Sequence, residues 1–167
     1  IFGSDGYKLT DAQEETIEDL ILNHRLNEYL PPASGIGKAF RLEGVIGRYI
    51  VFVKNTFPRR LSMEGMKIVL DTANGATYRV AQDTFNELGA DVETIHKTPN
   101  GININDQCGS QHTERLRKTV VDNGAAIGLA FDGDGDRLIA VDEKGNEITG
   151  DQILIICANI LKKEGKL

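Results

Sequence analysis

The chain has 167 residues, of which 40% are hydrophobic and 26% are charged, and its formal net charge is −6. These values are typical of a soluble globular chain of one main domain, and an acidic balance with no basic cluster beyond Arg59-Arg60 excludes nucleic acid as an expected partner. The longest apolar run, residues 153–158, is too short to cross a bilayer, so no membrane partner is expected either.

The predicted elements begin with a helix. Residues 10–13, Thr-Asp-Ala-Gln, form a capping-box pattern, and apolar residues follow at helical spacing from Ile17 onward. We expect this helix to end at Pro31-Pro32. We expect His24 to pack on its apolar face and not to bind a metal, because no second ligand accompanies it. A second helix is predicted over residues 48–57.

The middle of the chain alternates strands and helices. Strands are predicted at residues 67–71, 90–96, 125–131 and 138–142, and helices at 76–88, 113–123 and 151–163. This alternation predicts an α/β fold with right-handed crossovers and a largely parallel sheet covered by helices. Ligands of such sheets gather at the carboxyl ends of the strands, where Asp71 and Asp132 both fall.

The most informative motif is Asp132-Gly133-Asp134-Gly135-Asp136-Arg137, which lies between two predicted strands. Carboxylates at alternate positions can converge on one point, where their repulsion disfavours ionisation unless a cation neutralises them. The glycines allow the backbone to bend around that cation. An all-oxygen site suits Mg²⁺ or Ca²⁺ better than zinc or copper. We therefore predict Asp132, Asp134 and Asp136 as metal ligands, in preference to a solvated acidic turn.

An EF-hand is the competing interpretation of this motif. Counting from Asp132, aspartates fill the first, third and fifth positions of the loop, and Glu143 fills the twelfth. The sixth position requires glycine but holds Arg137, and the flanking segments are predicted strands where an EF-hand needs helices. A strand–loop–strand metal site is therefore favoured, and a calcium-binding module is the alternative.

Arg137 indicates what the metal site acts on. An arginine beside a metal cage is unfavourable unless an anionic group lies between them, and its planar fork suits phosphate oxygens. A metal with a guanidinium is a common arrangement for stabilising charge on a transferring phosphoryl group. The alternative is that Arg137 forms a salt bridge with one of the aspartates.

The cysteines bear on the compartment. Cys108 and Cys157 have neither metal-ligand spacing nor the density of a disulfide framework. Reduced thiols, and a cytoplasmic location, are therefore expected.

Residues 128–137, Gly-Leu-Ala-Phe-Asp-Gly-Asp-Gly-Asp-Arg, resemble the metal-binding motif of the α-D-phosphohexomutases. Those enzymes move a phosphate between the 1- and 6-positions of a hexose through a phosphoserine. Within that family, residues 70–76, 101–105 and 108–112 resemble the bacterial phosphoglucosamine mutases, with Gln111 standing where Thr is expected. The resemblance covers essentially the whole chain.

For the fold, the resemblance implies a three-layer α/β/α domain with a mainly parallel mixed sheet over residues 47–146. Residues 1–46 would be the C-terminal part of the preceding domain with its linker. Residues 147–167 would be the start of a third domain.

For the function, the resemblance implies interconversion of glucosamine 6-phosphate and glucosamine 1-phosphate, in amino-sugar nucleotide and cell-wall precursor synthesis. The ligand would be a hexosamine phosphate and the cofactor Mg²⁺, held by the three aspartates against the phosphoserine. Arg137 would be catalytic, by holding that phosphate or the reacting sugar oxygen. Ser110 and His112 would bind substrate or, equally, stabilise their loop by hydrogen bonds. The resemblance is consistent with a homodimeric parent.

The phosphoserine of that family lies in a Ser-His-Asn-Pro motif, and no Ser-His-Asn occurs in this chain. The family's later sugar-recognition and phosphate-binding motifs are also absent. We therefore expect an internal fragment that is inactive alone. A related mutase acting on glucose or mannose phosphates and a non-catalytic calcium-binding module are the two alternatives.

Overall fold

Five α-helices and five strands form over residues 2–167, which are the residues that the computed structural model describes. The helices are α1 (Asp11–Leu22), α2 (Val45–Lys54), α3 (Val80–Glu87), α4 (Glu114–Asn123) and α5 (Gly150–Lys163). The strands are β1 (Lys67–Asp71), β2 (Asp91–Ile95), β3 (Ile127–Phe131), β4 (Leu138–Asp142) and β5 (Glu147–Ile148). Two compact units result, one ending at Arg41 and the other spanning Leu42–Leu167.

The first unit contains α1, and its predicted start is confirmed. The backbone N–H of Thr10 donates to Oε1 of Gln13 at 3.0 Å, which is one half of a capping box. The predicted end was wrong, because α1 stops at Leu22 and a short 3₁₀ helix, Leu26–Tyr29, follows.

A local hydrogen-bond network accounts for the early end of α1. The carboxylate of Asp19 accepts hydrogen bonds from the side chains of Asn23, at 2.6 Å, and Arg25, at 2.8 Å. These bonds hold a turn in which His24 has a φ of 54° and an exposed side chain. The expectation that His24 packs on an apolar helix face was therefore wrong.

The second unit is built on one mixed sheet with the strand order β2-β1-β3-β4-β5. β1 lies parallel to both β2 and β3, whereas β4 runs antiparallel to β3 and β5 antiparallel to β4. The predicted α/β fold with a parallel core of strands is confirmed. The carboxyl ends of β1, β2 and β3 therefore meet at one edge of the sheet.

Helices cover both faces of this sheet. On one face, Val69 of β1 packs in a buried cluster with Leu116 and Val120 of α4. On the other face, Ile68 and Leu70 pack in a cluster that contains Ala81 of α3. Successive residues of β1 thus face opposite layers, as the period of a strand requires. The result is a three-layer α/β/α arrangement.

Two further features concern the sequence predictions. Within residues 2–167, no helix is both long and apolar enough to cross a membrane. Both cysteines are free, Cys108 buried and Cys157 exposed. The predicted division into domains at residues 46 and 146 stays a prediction.

Candidate metal centre

The acidic loop connects two strands that pair with each other. β3 ends at Phe131 and β4 begins at Leu138, and these two residues are antiparallel partners. Residues 132–137 therefore close a hairpin at the edge of the sheet where the parallel strands end. The strand–loop–strand prediction is confirmed, and the EF-hand alternative was wrong because neither flank is a helix.

The three predicted ligands converge. Asp132, Asp134 and Asp136 each offer a carboxylate oxygen, and these oxygens all lie within 4.8 Å of one another. Asp132 is buried, whereas the other two side chains are exposed. The bend is made at Gly135, whose φ is 78° and whose N–H donates to the Asp132 carbonyl at 3.1 Å. Such a set of anionic oxygens fits a hard divalent cation.

The charges in this loop act against one another. Burial alone would raise the pKa of Asp132, but hydrogen bonds from the backbone N–H and the guanidinium of Arg137 lower that pKa to about 2. The pKa of Asp136 is instead raised, first by the negative charge of Asp134 and then by that of Asp132. A cation placed between the carboxylates would relieve this repulsion.

Arg137 is held by the loop that it ends. Its Nε donates to Oδ2 of Asp132 at 2.8 Å and its backbone N–H donates to Oδ1 of the same carboxylate at 3.1 Å. The salt bridge that was the alternative interpretation is therefore present. The salt bridge does not occupy the whole guanidinium. Within residues 2–167, Nε is the only guanidinium nitrogen that donates a hydrogen bond, and the side chain is 65% exposed. The terminal nitrogens remain available for an anion such as a phosphate.

A second loop supports the acidic loop from behind. The N–H of Ala76 donates to the carbonyl of Gly133 at 2.8 Å. Gly75 approaches the same peptide so closely that a Cβ there would overlap the carbonyl oxygen of Gly133. Asn105 and Ile104 lie on the remaining side, since a Cβ at Gly133 would fall within 2.9 Å of their side chains. The residue between the first two predicted ligands is thus enclosed by two neighbouring loops.

Sequence reasoning placed Asp71 at the ligand-binding edge of the sheet but did not predict that this residue organises those loops. Asp71 ends β1 with no solvent exposure. Its Oδ1 accepts the N–H of Ala73 at 2.9 Å, and its Oδ2 accepts the N–H of Gly109 at 3.0 Å and lies 2.8 Å from Nδ1 of His96. The side chain of Cys108 completes this buried cluster. An aspartate directly after a run of buried aliphatic residues was the available signal, because such a carboxylate needs several donors.

The predicted substrate-binding residues lie on the neighbouring loop. Ser110 is part of a short 3₁₀ helix, Gly109–Gln111, and His112 follows it; both side chains are half-buried. The contact of this segment with the end of β3 is made by Gly109, because a Cβ there would fall 2.6 Å from the carbonyl oxygen of Phe131. Their role in binding substrate stays a prediction.

Comparison with known proteins identifies the family. Residues 47–145 match the family described as "Phosphoglucomutase/phosphomannomutase, alpha/beta/alpha domain II". The chain belongs to the phosphoglucomutase/phosphomannomutase family. The matched residues include the whole of the acidic loop and both loops that support it.

Relatives in this family are similar over the entire chain. A protein named phosphoglucosamine mutase from Syntrophobacter fumaroxidans is 70% identical over 167 residues, which are 100% of this chain and 37% of that protein. A protein of the same name from Syntrophus aciditrophicus is 62% identical over the same shares of the two chains. The chain therefore spans 37% of the length of these relatives.

A solved structure agrees on the fold. The crystal structure of a phosphoglucomutase/phosphomannomutase family protein from Burkholderia thailandensis superposes with a TM-score of 0.65 at 21% identity. The match covers 93% of this chain and 33% of that one. The similarity is one of architecture and bears on the fold alone.

Proposed function

We propose that the chain supplies the metal-binding part of a phosphoglucosamine mutase, which interconverts glucosamine 6-phosphate and glucosamine 1-phosphate. The observation that carries the proposal is the convergence of Asp132, Asp134 and Asp136 beside Arg137, in a chain 70% identical to a protein of that name. The pathway would be amino-sugar nucleotide and cell-wall precursor synthesis, in the cytoplasm.

Each residue of the loop has a distinct part in this proposal. Asp132 would remain ionised and fixed, because Arg137 donates to both of its oxygens. Asp134 and Asp136, being exposed, would complete the set of oxygens that holds Mg²⁺. When bound, the ion supplies Lewis-acid stabilisation of charge on a phosphoryl group. The terminal nitrogens of Arg137 would hold the oxygens of that phosphoryl group, and Ser110 and His112 would contact the sugar phosphate.

The proposal is tested with a protein of the relatives' full length that contains this chain. Turnover should be fastest on glucosamine phosphate, with glucose and mannose phosphates as the competing substrates. The variant Asp134→Asn should lower kcat by a factor of about 10² or more, as expected for one lost element of transition-state electrostatics. Comparable turnover on mannose phosphate would favour a phosphomannomutase, and a variant with unchanged kcat and Mg²⁺ dependence would remove the loop from the mechanism.

The 167-residue chain should show no turnover alone, because it contains no Ser-His-Asn sequence to carry the phosphoryl group. The assay is the purified chain with glucosamine 6-phosphate, in a preparation checked for host mutase. The Asp134→Asn chain is the matched control for that contamination. Activity that this substitution abolishes would contradict the expectation, whereas activity that survives it would reveal the host enzyme.

A calcium-binding module is the second candidate, and metal affinity separates it from the mutase. Three carboxylates supply half of an octahedral shell, and Mg²⁺ loses its waters reluctantly, so we expect millimolar affinity at best for Mg²⁺. Ca²⁺ should bind about as weakly, because the three converging carboxylates supply fewer oxygens than the six to eight that it usually takes. Calorimetric titration with each ion measures both affinities. Micromolar affinity for Ca²⁺ with strong selectivity over Mg²⁺ would replace the mutase proposal by the calcium module.

A further inference from the structure

The segments that follow β1 (residues 72–79) and β2 (residues 96–113) meet beside the candidate metal centre, and five non-glycine residues in them have left-handed backbone conformations. These residues are Ala73, Asn74, His96, Asn105 and Gln107, with φ between 49° and 58°. Such conformations are unfavourable for side-chain-bearing residues and persist only where the surroundings fix them, which is most often near functional sites. Some group of the structure must therefore fix these backbone conformations.

Asp71 is the group that these segments share. Its carboxylate accepts the N–H of Ala73 in the first segment and of Gly109 in the second, and it contacts the ring of His96 where the second segment begins. The peptide N–H groups of Thr72 and Asn74 reach across to the backbone carbonyls of Ile95 and His96. The carboxylate therefore fixes the place where both segments leave the sheet, and it holds the second segment again at Gly109.

Backbone contacts extend the restraint imposed by Asp71 to the acidic loop. The carbonyl of Ala73 accepts the N–H of Asn105, and the N–H of Ala76 donates to the carbonyl of Gly133 at 2.8 Å. Gly109 is wedged between Ala73 and the carbonyl oxygen of Phe131, which directly precedes Asp132. Both the residue before the first predicted ligand and the residue after it thus rest on backbone that Asp71 fixes.

We infer that Asp71 is a positioning residue for the metal centre: through the Ala73 and Gly109 peptides it sets the spacing of Asp132 and Asp134. The inference rests on the proposed function, since it assumes that these carboxylates bind a divalent cation. Asp71 is not one of the three carboxylates that converge in the acidic loop, and its oxygens accept from three donors of the neighbouring segments. Groups that orient metal ligands from outside typically change metal affinity by a factor of about 10 to 100.

The test measures binding of Mn²⁺, an oxygen-seeking ion with a paramagnetic signal, to the 167-residue chain by electron paramagnetic resonance. The variant Asp71→Asn retains the shape of the side chain but brings an amide N–H toward groups that are themselves donors. We expect it to weaken Mn²⁺ binding by about tenfold or more. The matched control is Val69→Ala, which opens a cavity on the same strand against α4 and away from the loops. It should lower stability while leaving Mn²⁺ affinity within about twofold, because it touches no loop contact.

A second variant separates positioning from charge. His96→Gln removes one donor from Asp71 and leaves the negative charge in place, so a loss of affinity in this variant cannot come from electrostatic attraction. It also leaves both peptide N–H bonds intact, which keeps the chain folded if Asp71→Asn does not fold. We expect its Mn²⁺ affinity to fall by about threefold, less than for Asp71→Asn, because only one of the three contacts of Asp71 is changed.

The possible outcomes bear on different conclusions. Wild-type Mn²⁺ affinity in folded Asp71→Asn, or in His96→Gln if the former does not fold, overturns the positioning role and leaves the metal centre standing. A wild-type chain that does not bind Mn²⁺, or whose binding survives Asp134→Asn, overturns the metal centre and with it this inference. Reduced Mn²⁺ affinity in both Asp71→Asn and His96→Gln, with no such reduction in Val69→Ala, supports the positioning role.

Discussion

Asp71 and Asp132 occupy similar positions in the sheet but have different surroundings. Asp71 is the last residue of β1, Asp132 directly follows the adjacent parallel strand β3, and both are buried. Asp71 is surrounded by three donors from the segments that follow β1 and β2. Asp132 shares its loop with two exposed carboxylates that repel it, and among residues 2–167 its hydrogen-bond donors belong to Arg137. The same side chain thus joins a hydrogen-bond network in one place and a candidate metal site in the other.

The difference shows that the surroundings of a carboxylate decide its use more than its place in the sheet does. A buried carboxylate that accepts from several donors contributes stability and has little left to offer a ligand. A cluster of carboxylates with unrelieved repulsion costs stability and is ready for a cation. The two regions depend on each other, because the loops fixed by Asp71 hold the backbone of the acidic loop.

Stability should separate the two regions most strongly. Asp71→Ala leaves the N–H groups of Ala73 and Gly109 buried without partners, and each such group costs about 1–3 kcal/mol. We expect a loss of about 3–5 kcal/mol in the free energy of unfolding, measured by urea denaturation. Asp134→Ala, the control, should change it by no more than about 0.5 kcal/mol, since its side chain is exposed. Equal losses in the two variants would contradict the comparison.

The contact between the loops provides a smaller effect. A Cβ at Gly75 would overlap backbone atoms of Gly133, so Gly75→Ala must displace the acidic loop, at a cost of about 1–3 kcal/mol. The matched control is Gly47→Ala in α2, where a Cβ meets nothing within 4 Å. That substitution should stabilise the chain by about 0.5–1 kcal/mol, because alanine is the better helix former. Thermal unfolding of both variants gives the comparison, and a Gly75→Ala chain as stable as wild type would show that the loops do not support each other.

Much of the fold could be predicted because its signals are local. The strand at residues 67–71 and the helix at residues 113–123 follow from apolar periodicity, and both predictions are confirmed within one residue. The early end of α1 could not be predicted in this way, because it depends on side chains of Asn23 and Arg25 that capture Asp19. Competition between side-chain hydrogen bonds and helix propagation is not visible in periodicity.

The candidate site also has a part that could be predicted from the sequence and a part that could not. The convergence of Asp132, Asp134 and Asp136 was predictable because their spacing alone implies it. The part played by Asp71 was not, since its donors are peptide N–H groups whose positions depend on left-handed backbone at residues such as Ala73 and His96. Alanine gives no sign of that conformation in a sequence, and histidine is only enriched in it. The residues that position a site are therefore harder to predict from the sequence than the ligands are.

Titration should reveal the smallest effect, which lies within the acidic loop. In the chain without metal, the carboxyl of Asp132 should titrate with a pKa of about 2, because hydrogen bonds from Arg137 outweigh its burial. The pKa of Asp136 should lie above its usual range, because of the charges of Asp134 and Asp132. Carboxyl carbon chemical shifts followed by NMR as acid is added measure both values, and Asp136 should take up its proton first.

Asp134→Asn should lower the pKa of Asp136 toward its usual range, because it removes the largest cause of the rise. The internal control is Asp142, whose pKa is lowered mainly by a hydrogen bond from the side chain of Asn146 and should not move. Stability follows with opposite signs. The contribution of Asp132 is present above its unfolded pKa of about 4 and is lost as the pH falls toward 2, whereas repulsion at Asp136 opposes folding once that group is ionised. An Asp136 pKa that is ordinary in the wild type and unmoved in Asp134→Asn would mean that the carboxylates do not converge in solution, and the contrast with Asp71 would then lose its basis.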